Sequence, residues 1–155
     1  MMRTLTRGVL AGAAGTTALN TVTYTDMALR GRPSSSTPER VVDAMADRAG
    51  VAVPGSGDRR EARLSGLGAL SGIAVGGGVG AVGAALGRTG VRLPWWAGAA
   101  VTGALAMAAS DVPVARFGIS DPRTWSAADW LSDVLPHPAY GLVTYGAVSG
   151  AEARP

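Results

Sequence analysis

The chain has 155 residues, 14 of them basic and 11 acidic, a net charge of +3 and no cysteine, which allows one domain and excludes disulfides and thiolate metal sites. Aromatics make up 5% and charged residues 16%. The apolar bulk is therefore Ala, Gly, Val and Leu, a weak core in water but one suited to close helix packing in a bilayer. Every basic residue is an arginine, and the arginines are scattered through connections rather than set in one stripe. That excludes the electrostatic footprint of a nucleic-acid partner, and the Ala/Gly/Val/Arg bias points to a GC-rich bacterial genome.

Residues 8–29 follow Arg3 and Arg7 and are weakly apolar. The run continues past Asn20 to Leu29, beyond the core of a signal peptide, so an uncleaved first helix is the preferred reading. Gly8/Gly12 and Ala11/Gly15 carry small-xxx-small spacing. Thr16, Asn20, Thr23 and Met27 share a face whose hydroxyl and amide groups are expected to bond a neighbouring helix.

Residues 30–63 form a long polar loop. Within it Thr37 reads as an N-cap with Pro38 in the first turn, and Gly50 as the stop. Val41, Val42, Met45 and Ala49 oppose Glu39, Arg40, Asp43 and Asp47, which predicts a short amphipathic helix on a membrane surface or against loop ends.

Residues 64–86 run for 23 positions without a charge, between Arg63 and Arg88. A helix of that length is roughly 34 Å long, enough to cross a hydrocarbon core of about 30 Å. Gly68, Gly72, Gly76, Gly80 and Ala84 recur every four residues, a glycine-zipper stripe that predicts close helix packing. Gly78-Val79-Gly80-Ala81-Val82-Gly83 formally matches a dinucleotide fingerprint. It lies inside an apolar helical run, however, with no acidic residue before Asp111, so helix packing is the better account.

A third span is predicted over 95–115, opened by Trp95–Trp96 as an interfacial pair. Pro113 leaves the carbonyl of Ala109 without its usual donor, so a kink or early end is expected there. Ser126 with Asp129 reads as a capping box that starts a fourth span over about 127–150, irregular at Pro136 and Pro138. Trp125 and Trp130 sit at its entry as anchors.

Four such spans give an all-α transmembrane bundle, a single multi-pass membrane domain over residues 1–155. Its first loop carries the amphipathic helix. They also place Asp26, Asp111, Asp133 and His137 at one end, with Arg30, Arg63 and Arg116 nearby. Asp133 and His137 are one turn apart. Such a group can hold a cation, relay a proton or bind a polar headgroup; ordinary ion pairs with the arginines are the plainer account. One histidine, no cysteine and no nucleophile elbow leave no expected catalytic, cofactor-binding or metal site. Five arginines (Arg3, Arg7, Arg88, Arg92 and Arg154) fall at the terminal end and nine at the loop end, which favours a cytoplasmic loop. Arg3 and Arg7 ahead of the first helix pull the other way.

The layout ends on His137-Pro138-Ala139-Tyr140-Gly141, after RGRPSSSTPER (Arg30–Arg40) and DPRTWSAADW (Asp121–Trp130). In these features it resembles small multi-pass bacterial membrane proteins of the YagU-type inner-membrane family. The resemblance implies residence in the plasma membrane and carries over no catalytic residue. The expected function is non-enzymatic: a packing or assembly component in the lipid bilayer, meeting a second copy or another membrane protein through Gly68, Gly72, Gly76 and Gly80. The alternative is a small transporter or channel subunit whose polar path is lined by Asp26, Asp111 and His137.

Overall fold

The computed structural model describes residues 1–90 and 93–152. Six α-helices follow in order: α1 (Met2–Arg30), α2 (Thr37–Arg48), α3 (Asp58–Gly87), α4 (Trp95–Arg116), α5 (Ala127–Val134) and α6 (Pro136–Glu152). A 3-10 turn, Pro122–Thr124, precedes α5, and no strand occurs among the described residues. Arg92 and Arg154, which enter the comparison of arginines between the two ends, lie outside the described residues.

The chain is all-α, as its periodicities require. The helices overrun the apolar segments that predict them: α3 begins at Asp58, where Asp58 and Glu61 complement the positive helix start. Among the described residues two helices are long and apolar enough to cross a membrane, α3 with a mean hydropathy of 1.7 over an 18-residue stretch and α4 with 1.3. The segments expected as first and last spans fall short of that measure. α1 is long but rich in threonine, and the fourth segment is two helices divided at Leu135.

Several local expectations meet a different partner. Ser35, not Thr37, supplies the hydroxyl at the start of α2, accepting the Thr37 N–H at 3.1 Å. Pro113 does not end α4, which runs on to Arg116. Gly50 closes α2 with a left-handed φ of 67°, a conformation that a side chain resists. The capping box is present as read: Ser126 Oγ accepts the Asp129 N–H at 3.2 Å, and Asp129 accepts the Ser126 N–H at 2.9 Å.

The four long segments stand in a ring. α1 packs on α3 and α6, α4 packs on α6 and α3, and α3 touches α6 across the middle, while α1 and α4 share no substantial contact. Helices come close because glycines remove the side chain at each crossing. A methyl group on Gly12 would overlap the carbonyl of Gly76, and one on Gly8 or Gly80 would overlap the backbone of the opposite helix. The same holds between α4 and α6, where Gly103 faces the His137 carbonyl and Gly141 faces that of Ala99. α2 lies over the start of α3, with Pro38 on Gly68 and Asp43 paired to Arg60 at 2.5 Å. Its other end reaches α4, where the Arg48 guanidinium sits 4.2 Å from the Phe117 ring centre. This matches the expectation of a helix against the loop ends.

The expected glycine stripe is used in part. Gly68, Gly76 and Gly80 are buried with Ala84, but Gly72 is exposed and a side chain there would meet nothing within 4 Å. The stripe serves three neighbours, α2 at Gly68 and α1 with α6 from Gly76 onward, and Gly72 falls between these contacts.

Candidate functional site

The end of the bundle that holds the loop also holds the polar groups. Pro136 and Pro138 set its geometry. They bring no N–H to the start of α6, so the carbonyls of Ser132 and Val134 lose their helical donors and the hydrogen-bond ladder is interrupted around Leu135, whose own backbone stays right-handed helical. At the break the His137 ring turns back, and its Nδ1 lies 2.6 Å from the Asp133 carbonyl oxygen. The residues are one turn apart, as their spacing predicts, but the imidazole meets the backbone of Asp133 rather than its carboxyl. His137 is only 8% exposed.

Asp111 approaches from α4. Its carboxyl neighbours that of Asp133, and the Ser110 hydroxyl is 3.5 Å from Asp111 Oδ1. Asp133 Oδ2 is fully buried and has no hydrogen-bond donor. Of the four expected residues, Asp111, Asp133 and His137 therefore come together.

Asp26 does not join them. At the end of α1 its carboxylate takes Arg30 and Arg32, each at 2.6 Å. Arg30 continues the network to the Ser132 hydroxyl on α5, next to Asp133 in sequence. Asp26 thus reaches the same end, but as a satisfied ion pair on the far corner from α4. Arg63 donates to the Pro54 carbonyl at 2.6 Å. No group of three or more His, Cys, Asp or Glu among the described residues is arranged to hold a metal ion.

Outside the helical spans, Asp121 closes the 3-10 turn. It accepts the Arg123 N–H at 3.0 Å and pairs with the guanidinium at 2.9 Å, which holds its carboxyl below the ordinary carboxylate range.

Sequence reasoning missed the hub of the core. Tyr140 and Thr144 are each 1% exposed, deeper than any Leu or Val of the spans. The Tyr140 hydroxyl donates to the Gly76 carbonyl at 2.6 Å, and Thr144 donates to Ala11 at 3.4 Å. The available signal is their one-turn spacing beside Gly141, which marks a face with polar tips and no bulk. Thr16, expected to bond across helices, instead donates to Gly12 of its own helix at 3.0 Å.

No protein-family model matches the chain, and neither a curated protein nor a solved structure is significantly similar to it.

Proposed function

We propose that this chain is a small non-enzymatic membrane protein, with α1, α3, α4 and the α5–α6 pair as four membrane-crossing segments. The observation that carries the reading is the inverted distribution of side chains. Leu70, Ile73, Val82, Leu86, Val101, Leu105 and Leu142 point outward, while the interior is mostly glycine, alanine, threonine and Tyr140, with Leu64, Val114 and His137 the larger exceptions in the helices. In water the large apolar groups belong inside, because burying each contributes about 1.5–3 kcal/mol. In hydrocarbon that preference vanishes and small residues take the contacts. The exposed Trp95 and Trp96 at one end, with Trp125 and Trp130 at the other, suit two lipid–water boundaries.

The weak hydropathy of α1 is compatible with this reading. Thr6, Thr16, Thr17, Thr21 and Thr25 each return their hydroxyl to the carbonyl four residues back, so these polar groups are satisfied within the helix. A packing or assembly role is supported by Gly72, which is exposed and has open space beside it where another helix can approach closely. Gly72→Leu tests it: the proposal expects a smaller complex in detergent with the fold intact. An unchanged complex removes the assembly role. Gly76→Leu is unsuited to this test, because Gly76 serves the chain's own core.

A second reading, a transporter or channel subunit, is favoured by Asp111, Asp133 and His137 alone. It expects Asp111→Asn or His137→Ala to abolish an ion flux in proteoliposomes while insertion persists.

A further inference from the structure

We propose that the terminal end of the bundle binds the phosphate of an anionic phospholipid headgroup through Arg3, Arg7 and Arg88, an inference that rests on the bilayer residence proposed above. Charge is divided unevenly between the two ends. Ten of the 11 acidic residues, Asp26 through Asp133, belong to the loop end, and Glu152 alone belongs by sequence to the other. The ion pairs among the described residues accordingly form at the loop end, where Asp26, Asp43 and Asp121 take up Arg30, Arg32, Arg60 and Arg123. Arg3, Arg7 and Arg88 have no carboxylate partner among the described residues.

The fold nonetheless gathers these three cations. A methyl group on Gly8 would meet the Gly80 carbonyl and Ala84, so the start of α1 lies against the end of α3. There the Arg88 guanidinium donates to the Thr4 hydroxyl at 3.3 Å. Arg3 and Arg7 stand one turn apart on the strip of α1 beside Thr4, and both are exposed. Arg3 also lies in the first turn, where the positive helix end disfavours a cation and neither an acidic residue nor a side-chain cap offsets it. A phosphate relieves that repulsion, its oxygens accepting from guanidinium groups on both helices. What lies below the cluster favours a lipid over a free anion. Arg3, Arg7, Leu10, Ala14, Thr17 and Thr21 share one outward face of α1, with Leu10 64% exposed. Thr17 and Thr21 return their hydroxyls to the carbonyls of Ala13 and Thr17. The face thus presents donors at its end and, beneath them, a surface of satisfied polar groups along which an acyl chain can lie. Trp95 and Trp96, exposed at the same end, mark the headgroup level.

Native mass spectrometry of the full chain tests it. The protein is released from detergent micelles that hold equal amounts of phosphatidylglycerol and phosphatidylcholine with identical acyl chains. The wild type is expected to retain phosphatidylglycerol in preference. Arg3→Gln, Arg7→Gln and Arg88→Gln should each lower that preference about fivefold, the usual attraction of one arginine to an anionic lipid surface. Arg123→Gln, at the loop end, should leave it unchanged. Equal retention of the two lipids by the wild type overturns the proposal, as does a preference that survives the three substitutions together. Displacement of phosphatidylglycerol by inorganic phosphate at constant ionic strength also overturns it, since the site then takes a soluble anion. The wild-type comparison needs no variant to fold. Extraction of membranes at alkaline pH judges the membrane reading separately, because it reads the spans and not the headgroup preference.

Discussion

At the scale of single residues, the molecule separates glycines that are spaces from glycines that are merely small. Gly12→Leu forces a side chain into the α3 backbone and should cost at least the ~1–3 kcal/mol of an overpacked core. Gly72→Ala meets no neighbour and should instead gain ~0.5–1 kcal/mol from the lower backbone entropy of alanine. Thermal unfolding in detergent compares the two, and equal effects would mean that the α1–α3 contact is not as close as described. Tyr140→Phe removes one interhelical hydrogen bond without changing shape, a loss of ~0.6–1.7 kcal/mol in the same assay. Asp121 offers a pH-dependent feature. Its lowered value means that the Arg123 pairing stabilises the turn above the ordinary carboxylate range and is lost as pH falls through the lowered one. An NMR titration of the Asp121 carboxyl should show this, and Arg123→Ala should return it towards the ordinary value.

At the scale of elements, the α5–α6 break is what brings His137 back over the Asp133 carbonyl. Replacing both Pro136 and Pro138 by alanine restores donors to the carbonyls of Ser132 and Val134. A continuous helix over residues 127–152 is then expected, with slower amide exchange around residues 132–139. If exchange there is unchanged, packing of α6 on α4 sets the break and the prolines only tolerate it. The capping box at the other end of α5 is a local device, and Ser126→Ala should cost about 1 kcal/mol, read as fraying of α5 alone.

At the scale of the whole molecule, the outward Leu, Ile, Val and Trp side chains and the small, polar interior argue together for a bilayer as solvent. The proposed arrangement expects a tagged chain to stay in the membrane pellet after an alkaline wash and to leave it only with detergent. Release by the wash would return the outward side chains to water, where their number has no account. The arginine bias expects the loop end in the cytoplasm, which a reporter inserted in the loop would check.

Helix type, the capping box at Ser126 and the proline break near residue 136 were legible in the chain, because each depends on neighbours within a few positions. The uncharged length of residues 64–86 and the one-turn spacing of Asp133 and His137 belong to the same local class. Only the tertiary structure decided that Gly72 faces outward, that Tyr140 and Thr144 fill the centre, and that Asp133 meets Asp111 while Asp26 is held by its own arginines. Those outcomes depend on which helices are neighbours and how each is rotated about its axis. Many rotations satisfy a chain this rich in small residues until the backbones come into contact.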